Sequence, residues 1–155
     1  MEIDIPGFGL VRLEHVVMDY NGTLAVDGRL AKGVETALNR LAVDMKLHVI
    51  TADTFGMAAK ELERVDCTLK VLTGENHGME KRDFVKTLGA DKTVSIGNGR
   101  NDRMMLGESV IGIAVVLEEG AAVETVMAAD IVSPSILAAL GLLEHPLRLK
   151  ATLRS

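Results

Sequence analysis

Short apolar runs alternate with helical patterns along most of the chain, and this alternation restricts the fold more than any other feature. The apolar runs lie at 16–18, 47–50, 68–72, 93–96, 111–115 and 131–132. Helical patterns are found at about 31–44, 55–65, 76–88, 102–108, 121–128 and 135–143, and the basic tail from Pro146 is compatible with one more helix. Strands that alternate with helices are typical of a parallel, doubly wound sheet. We therefore expect an α/β fold.

Two short hairpins are predicted outside this alternation. Met1 to Leu13 has the pattern of two strands with a turn at Pro6-Gly7, and we place this hairpin at an edge of the sheet. Residues 25–30 contain the pair Asp27-Gly28, which is typical of a tight β-hairpin. The second hairpin would form a small flap beside the end of the first core strand.

Composition restricts the class of protein. The 155 residues fit one domain, 1–155, that can bury a core. Apolar residues make up 48% of the chain and aromatic residues only 3%, so aliphatic side chains fill the interior, as suits a parallel sheet buried on both faces. The net charge of -5 argues against a nucleic-acid-binding surface.

The sequence also bears on localisation. The single cysteine, Cys67, permits no internal disulfide and favours a reducing compartment. The first residues include Glu2 and Asp4 instead of a basic region followed by an apolar run, so no signal peptide is visible. The longest apolar stretch, Val110 to Leu117, is too short to span a membrane. We expect a cytoplasmic protein with no membrane partner.

The first core strand ends in a residue suited to chemistry. Val16 to Met18 are followed by Asp19, and Asn21-Gly22 then breaks the strand. Ligands of open α/β sheets bind beyond the carboxyl ends of the strands. Asp19 is therefore a candidate nucleophile toward a phosphoryl group, since carboxylates form such covalent intermediates, and Gly22 lets the backbone approach an anion. A simple Asx-type turn capped by Asp19 is the alternative.

Three further segments suit phosphate or magnesium. Thr51 follows a strand and precedes a helix, so its hydroxyl and the helix N–H groups suit phosphoryl oxygens. The alternative is that Thr51 only caps the helix. Lys81 would neutralise charge on the transferred group, or it is a solvated helix lysine. The loop Gly97 to Asp102 offers Asp102 as a Mg²⁺ ligand, or it is a glycine-rich turn with a polar cap.

Together these motifs resemble a known family. Asp19-Tyr20-Asn21-Gly22-Thr23-Leu24 resembles the first motif of the haloacid dehalogenase (HAD) superfamily, Asp-x-Asp-Gly-Thr-Leu, and the Asp-Lys-Thr-Gly-Thr-Leu of P-type ATPases. Further segments resemble P-type ATPase motifs in unbroken order from Val16 to Val132: Ile50 to Asp53, Lys81 with Val85 and Leu88, Gly97 to Asp102, Gly112 to Ala114, and Ala128 to Val132. The chain resembles a stand-alone phosphorylation domain of this type.

The resemblance implies a HAD-like Rossmannoid three-layer fold and a set of site residues. Asp19, Thr51 and Lys81 would be catalytic. Asp19, Asn21, Asn98 and Asp102 would hold Mg²⁺, Asn21 through its backbone carbonyl. Gly22, Thr51, Ala52 and Lys81 would bind phosphate. The expected activity is phosphate-ester hydrolysis through an aspartyl-phosphate on Asp19, with a phosphorylated substrate that the sequence does not identify.

Two family features are absent. Only Leu24 to Ile50 separate the first two motifs, which leaves no room for the nucleotide-binding domain of P-type ATPases and excludes an ion pump. Neither usual position carries the insertion of a cap domain. We therefore expect a capless site that is open to solvent or covered by the flap or by another subunit of a homo-oligomer.

Two substitutions depart from the family pattern. Asn21 stands where phosphatases of the superfamily have the Asp that serves as acid and base, so turnover is expected to be slower by roughly 10²–10⁴-fold. Asn98 stands where an Asp is usual, so weaker Mg²⁺ binding is expected. These departures leave two alternatives to a phosphatase: a phospho-accepting module with a slowly hydrolysed intermediate, and a degenerate member that serves as a binding unit.

Overall fold

The strands of the protein form one central sheet and two separate hairpins. The computed structural model describes residues 1–52 and 56–155. In chain order the strands are Glu2–Ile5 (β1), Gly9–Arg12 (β2), His15–Asp19 (β3), Ala25–Val26 (β4), Arg29–Leu30 (β5), Lys46–Thr51 (β6), Thr68–Val71 (β7), Thr93–Gly97 (β8), Ile111–Val115 (β9) and Ile131–Ser133 (β10).

The central sheet is parallel throughout and has the order β10-β9-β8-β3-β6-β7. The strands β3, β8 and β9 have five residues each, and all of these residues are buried. This burial explains the continuous apolar runs, because helices cover both faces of a parallel sheet. Since β3 is central and the chain moves first to one side of it and then to the other, the sheet has a topological switch point beside β3. The predicted α/β fold class is confirmed.

Helices form a layer on each face of the sheet. They are Val34–Leu41 (α1), Met57–Glu61 (α2), His77–Leu88 (α3), Arg103–Glu108 (α4), Val123–Ala128 (α5), Ile136–Glu144 (α6) and Pro146–Leu153 (α7). One core cluster joins Val17 and Ile50 of the sheet to Val85 and Leu106 of α3 and α4. A larger cluster covers the other face and includes residues of α1, α6 and α7. In the described ranges no helix combines the length and apolarity needed to cross a membrane.

Helix ends follow local chemistry, and several differ from the predicted limits. Helix α3 begins after Asn76, whose side chain accepts a hydrogen bond from Met79 N at 3.1 Å, and Gly89 follows its last residue. Helix α1 is shorter than the predicted 31–44. The predicted start of α2 at Phe55 lies outside the described residues.

The N-terminal hairpin does not lie at an edge of the central sheet, so that prediction is wrong. In the described part of the chain β1 and β2 pair only with each other. The hairpin instead turns Ile3, Ile5 and Val11 into the larger core cluster. Burial of these three apolar side chains stabilises the hairpin in this position without pairing to an edge strand.

The predicted flap is present and is short. β4 and β5 form an antiparallel hairpin whose turn contains Asp27 at φ 51° and Gly28 at φ 76°. Tyr20 is fully buried and donates its hydroxyl to the Gly28 carbonyl at 3.0 Å. Leu30 N donates to the Glu61 carboxylate at 2.9 Å. The connection between β7 and α3 contains only residues 72–76.

Candidate active site

Asp19 lies at the carboxyl end of the central strand. It is the last residue of β3 and pairs with Ile50 of β6. β8 lies on its other side, so the segments that follow β6 and β8 lie on either side of Asp19 at one edge of the sheet. The Asp19 side chain is only 12% exposed. The strand thus presents a nearly buried carboxylate where α/β proteins bind ligands.

Lys81 joins the two acids of the site. Its Nζ lies 2.5 Å from Asp19 Oδ1 and 2.6 Å from Asp102 Oδ1, and its side chain is 1% exposed. Lys81 lies on the inner face of α3, four residues before the core residue Val85. Burial and the two ion pairs exclude the alternative of a solvated helix lysine.

Asp102 contacts Lys81 through one carboxylate oxygen and orders the loop after β8 through the other. Its Oδ2 accepts hydrogen bonds from Asn98 N at 3.0 Å and Gly99 N at 2.8 Å. The carboxylate is fully buried, and a Cβ on Gly97 would lie 2.6 Å from Asp102 Cβ. Glycine at 97 is therefore required by this close approach, and Asp102 contacts the backbone as a polar cap while its other oxygen contacts Lys81.

Asn98 and Thr23 connect this loop to the loop of Asp19. Thr23 Oγ1 lies 3.2 Å from Asn98 Oδ1 and 3.5 Å from Asp19 Oδ2. Asn98 Nδ2 donates to the Gly120 carbonyl at 3.0 Å, so its amide oxygen faces the Asp19 loop. Gly22 has φ 76°, and a Cβ there would lie 2.9 Å from Asn98 Cγ. Sequence reasoning missed the contact of Thr23, although this residue belongs to the first motif.

The remaining predicted site residues lie at the same edge. Thr51 ends β6, one residue beyond the partner of Asp19, and is 1% exposed. Ala52 follows it and is exposed, as is Asn21 beyond the end of β3. Asp53, the last residue of the second motif, lies outside the described part of the chain.

The electrostatics of the site raise the pKa values of both Asp19 and Lys81. Burial, and then the Asp102 carboxylate, raise the pKa of Asp19 to about 7 against the opposing effect of Lys81. Burial favours the neutral form of Lys81, but the charges of Asp19 and Asp102 outweigh it and raise the Lys81 pKa. Two carboxylates and one ammonium carry a net charge of about −1 when all are ionised, which attracts a cation to the site.

The donor set at this edge fits Mg²⁺, with fewer charges than the family pattern. It consists of oxygen atoms, the ligands that Mg²⁺ prefers: the carboxylates of Asp19 and Asp102 and the amide oxygen of Asn98. Among residues 1–52 and 56–155, no three His, Cys, Asp or Glu side chains form a cluster suited to a metal ion. A site with only two acids agrees with that finding and is expected to bind Mg²⁺ weakly.

Comparison with curated sequences shows one relative of this chain. Uncharacterized protein MJ0073 of Methanocaldococcus jannaschii is 40% identical over 87 residues, which cover 52% of this chain and 94% of the relative. No family model matches the chain. The two proteins therefore belong to one sequence family, and the name of the relative states no activity.

Comparison with solved structures shows phosphatases of similar fold. The 3-deoxy-D-manno-octulosonate 8-phosphate phosphatase of Moraxella catarrhalis, solved with magnesium, phosphate and KDO, has a TM-score of 0.72 at 15% identity, covering 91% of this chain and 89% of that chain. The cobalt-bound deoxy-D-mannose-octulosonate 8-phosphate phosphatase of Haemophilus influenzae has a TM-score of 0.71 at 15% identity, covering 92% of this chain and 91% of that chain. A HAD superfamily hydrolase of Legionella pneumophila has a TM-score of 0.68 at 16% identity, covering 91% and 87%.

These likenesses agree with the motif order and with the strand order around Asp19. The chain belongs to one sequence family with the Methanocaldococcus protein and has the fold of the haloacid dehalogenase superfamily.

Proposed function

We propose that the protein is a magnesium-dependent phosphohydrolase that works through an aspartyl-phosphate on Asp19. The observation that carries the proposal is the buried contact of Lys81 with Asp19 and Asp102 at the carboxyl edge of the sheet. Solved structures of this fold include phosphatases that contain magnesium or cobalt, which supports a divalent metal here.

The geometry distinguishes the two oxygens of the nucleophile. Asp19 Oδ1 is held by Lys81 at 2.5 Å, whereas Oδ2 lies at the longer distance of 3.5 Å from the Thr23 hydroxyl. Oδ2 is thus the oxygen that attacks phosphorus in line. A bond forms between Oδ2 and phosphorus, the bond to the ester oxygen breaks, and that oxygen leaves with a proton from solvent. Water then attacks phosphorus, releasing inorganic phosphate and free Asp19.

Charge on the transferring group is balanced by the residues around Asp19. Lys81 holds its ammonium beside the developing charge, and Thr51 with Ala52 binds phosphoryl oxygens from the next strand. Asp19, Asn98, Asp102 and the Asn21 carbonyl would hold Mg²⁺, which supplies further positive charge to the phosphoryl oxygens. Asp102 Oδ1 also accepts a hydrogen bond from Lys81, and its Oδ2 accepts hydrogen bonds from Asn98 N and Gly99 N.

A phospho-accepting module is the second candidate function. Asn21 favours it, because this exposed side chain cannot take a proton from water and the intermediate would persist. The two candidates share the first chemical step and differ in the lifetime of the phosphorylated state.

The test is hydrolysis of p-nitrophenyl phosphate with and without Mg²⁺. We expect Mg²⁺-dependent activity in the wild type and none in Asp19→Asn. Asp83→Asn is the matched control, because Asp83 lies on the outside of α3 and pairs only with Arg82 among the described residues. Activity of Asp19→Asn at the wild-type rate would contradict the mechanism. A stable phosphoryl group on wild-type Asp19 without turnover would support the second function.

A further inference from the structure

A cleft of about 430 Å³ lies between the start of α3 and the loop that leads into α4. This volume is in the range of about 300–1,000 Å³ that is usual for small-molecule sites. The side chains that face the cleft and matter here are those of Glu75, His77, Arg100, Asn101, Arg103 and Met104. None of these residues has a role in the proposed hydrolysis.

The cleft lies at the same edge of the sheet as Asp19. α3 follows the carboxyl end of β7 and α4 follows that of β8. His77 and Lys81 are four residues apart and share a face of α3, with an axial rise of about 6 Å between them. The lining of the cleft therefore includes a residue about one helical turn from Lys81 along α3. A larger cavity of about 740 Å³, lined by Leu41, Met45 and Leu143, includes the segment that precedes β6 at the opposite edge.

The lining of the cleft is cationic and largely polar. The lining contains two guanidinium groups and the His77 imidazole but only one carboxylate, that of Glu75. Arg100 Nε pairs with Glu124 at 3.1 Å, which leaves the terminal N–H groups of Arg100. Within the described ranges Arg103 forms no ion pair, and Met104 is the one large apolar side chain of the lining. An anionic ligand suits these side chains better than an apolar one.

We propose that this cleft receives the leaving group of the phosphate ester, and that Arg100 and Arg103 bind a carboxylate on it. The proposal rests on the proposed function, because it assigns the substrate class for the same site: phosphate monoesters of small hydroxy acids. Guanidinium groups match carboxylates in shape and charge, and bind them through paired hydrogen bonds.

The test compares two esters that differ in one group. 3-Phosphoglycerate and glycerol 3-phosphate share a three-carbon skeleton, but the first carries a carboxylate where the second carries a hydroxymethyl group. We expect kcat/KM to favour 3-phosphoglycerate by about tenfold or more in the wild type, as for hydrogen bonds to a charged group. The ratio should fall close to one in Arg100→Gln/Arg103→Gln.

The control is Arg82→Gln, which removes one arginine charge from α3 outside the cleft and should keep the wild-type ratio. A wild-type ratio near one, or an equal loss of the ratio in Arg82→Gln, would overturn the proposal.

A binding measurement keeps the proposal testable if no ester is hydrolysed. Titration calorimetry of Asp19→Asn with the same two compounds should show tighter binding of 3-phosphoglycerate by about tenfold or more, and this difference should vanish when Arg100→Gln/Arg103→Gln is added. Equal binding of the two compounds would contradict the cleft assignment. Failure of hydrolysis together with selective binding would contradict the proposed function alone.

Discussion

The Lys81 ammonium lies 2.5 Å from Asp19 Oδ1, and both side chains are almost completely withdrawn from solvent. The contact joins α3 to the central strand across 62 residues of sequence. It makes the proposed nucleophile part of the packed interior, so substitutions at this pair should change stability as well as activity.

Replacement of Asn21 by Asp should accelerate hydrolysis of the aspartyl-phosphate. The exposed position beyond β3 would gain a carboxylate able to accept a proton from the attacking water, an effect of about 10²–10⁴-fold. Single-turnover kinetics with p-nitrophenyl phosphate measure this rate. Asn21→Ala should remain as slow as the wild type, and an unchanged rate in Asn21→Asp would mean that position 21 is not at the acid–base position.

Replacement of Lys81 by Met should lower the free energy of unfolding by about 3–5 kcal/mol, because it leaves two buried carboxylates without their cation. Urea unfolding in the presence of a chelator measures the change. Lys86→Met is the matched control on the same helix, since its pair with Glu108 is partly exposed and contributes about 0–1 kcal/mol. Equal effects of the two substitutions would be incompatible with the buried ion pairs.

The raised pKa of Asp19 should make the metal-free protein less stable as the pH rises. The folded protein keeps the Asp19 proton up to a pH of about 7, whereas the unfolded chain loses it near pH 3.8. Between these values the folded state binds more protons, so the contribution of Asp19 to the free energy of unfolding falls with rising pH. The difference between wild type and Asp19→Asn, followed by urea unfolding in chelator from pH 4 to 8, should show this slope. A difference that is constant over this range would exclude it.

The His48 ring should have the opposite dependence. Its Nε2 lies 3.1 Å from His15 Nδ1, and its own Nδ1 is buried with no hydrogen-bond partner among residues 1–52 and 56–155. Burial, and then the charge of protonated His15, lower the pKa of His48 to about 4. The unfolded chain then binds the extra proton between pH 6.5 and 4, so the contribution of His48 to stability is lost as the pH falls through this range.

His48→Gln should remove that acid destabilisation in urea unfolding, whereas His145→Gln, at an exposed position, should keep it. An acid transition of equal steepness in the wild type and His48→Gln would assign the destabilisation to other groups.

Replacement of Gly22 by Ala should destabilise the Asp19 loop. The residue has φ 76°, and the added methyl group would collide with the Asn98 amide. The conformation alone costs about 1 kcal/mol or more for a residue with a side chain. Gly107→Ala is the control, because nothing lies within 4 Å of a Cβ there, and this helical position should gain about 0.5–1 kcal/mol. Equal thermal midpoints of Gly22→Ala and the wild type would contradict the close contact.

The sequence was sufficient to predict the fold class and the relative positions of the main site residues. Strands of three to six residues, each followed by a helix, allow few arrangements other than a parallel sheet. The ends of these strands must then meet at one edge, which brings together Asp19, Asn98 and Asp102. The resemblance to the HAD superfamily is confirmed at the level of fold, and the likeness to P-type ATPases stays an interpretation.

Other features could not be read from the sequence. The position of the N-terminal hairpin depends on contacts with a core cluster whose members, such as Leu149 of α7, are distant in sequence. The pairing of Asp102 with the backbone of Asn98 and Gly99 depends on loop geometry, so the sequence left a polar cap and a metal ligand as alternatives for Asp102. The single domain over 1–155, cytoplasmic localisation, the absence of nucleic-acid binding and a homo-oligomer over the open site stay predictions.

The flap is fastened at three places: the Tyr20 hydroxyl bonds the Gly28 carbonyl, Glu61 bonds Leu30 N, and Met57 lies against Gly28. Tyr20 adjoins Asp19 in the chain, so the hairpin is fixed relative to the proposed nucleophile. A hairpin fixed in this way forms a static wall at the entrance of the site and is not a mobile lid. Substrate would enter and phosphate would depart by diffusion, and the turnover time would be set by bond making and breaking instead of by a closing motion of this hairpin.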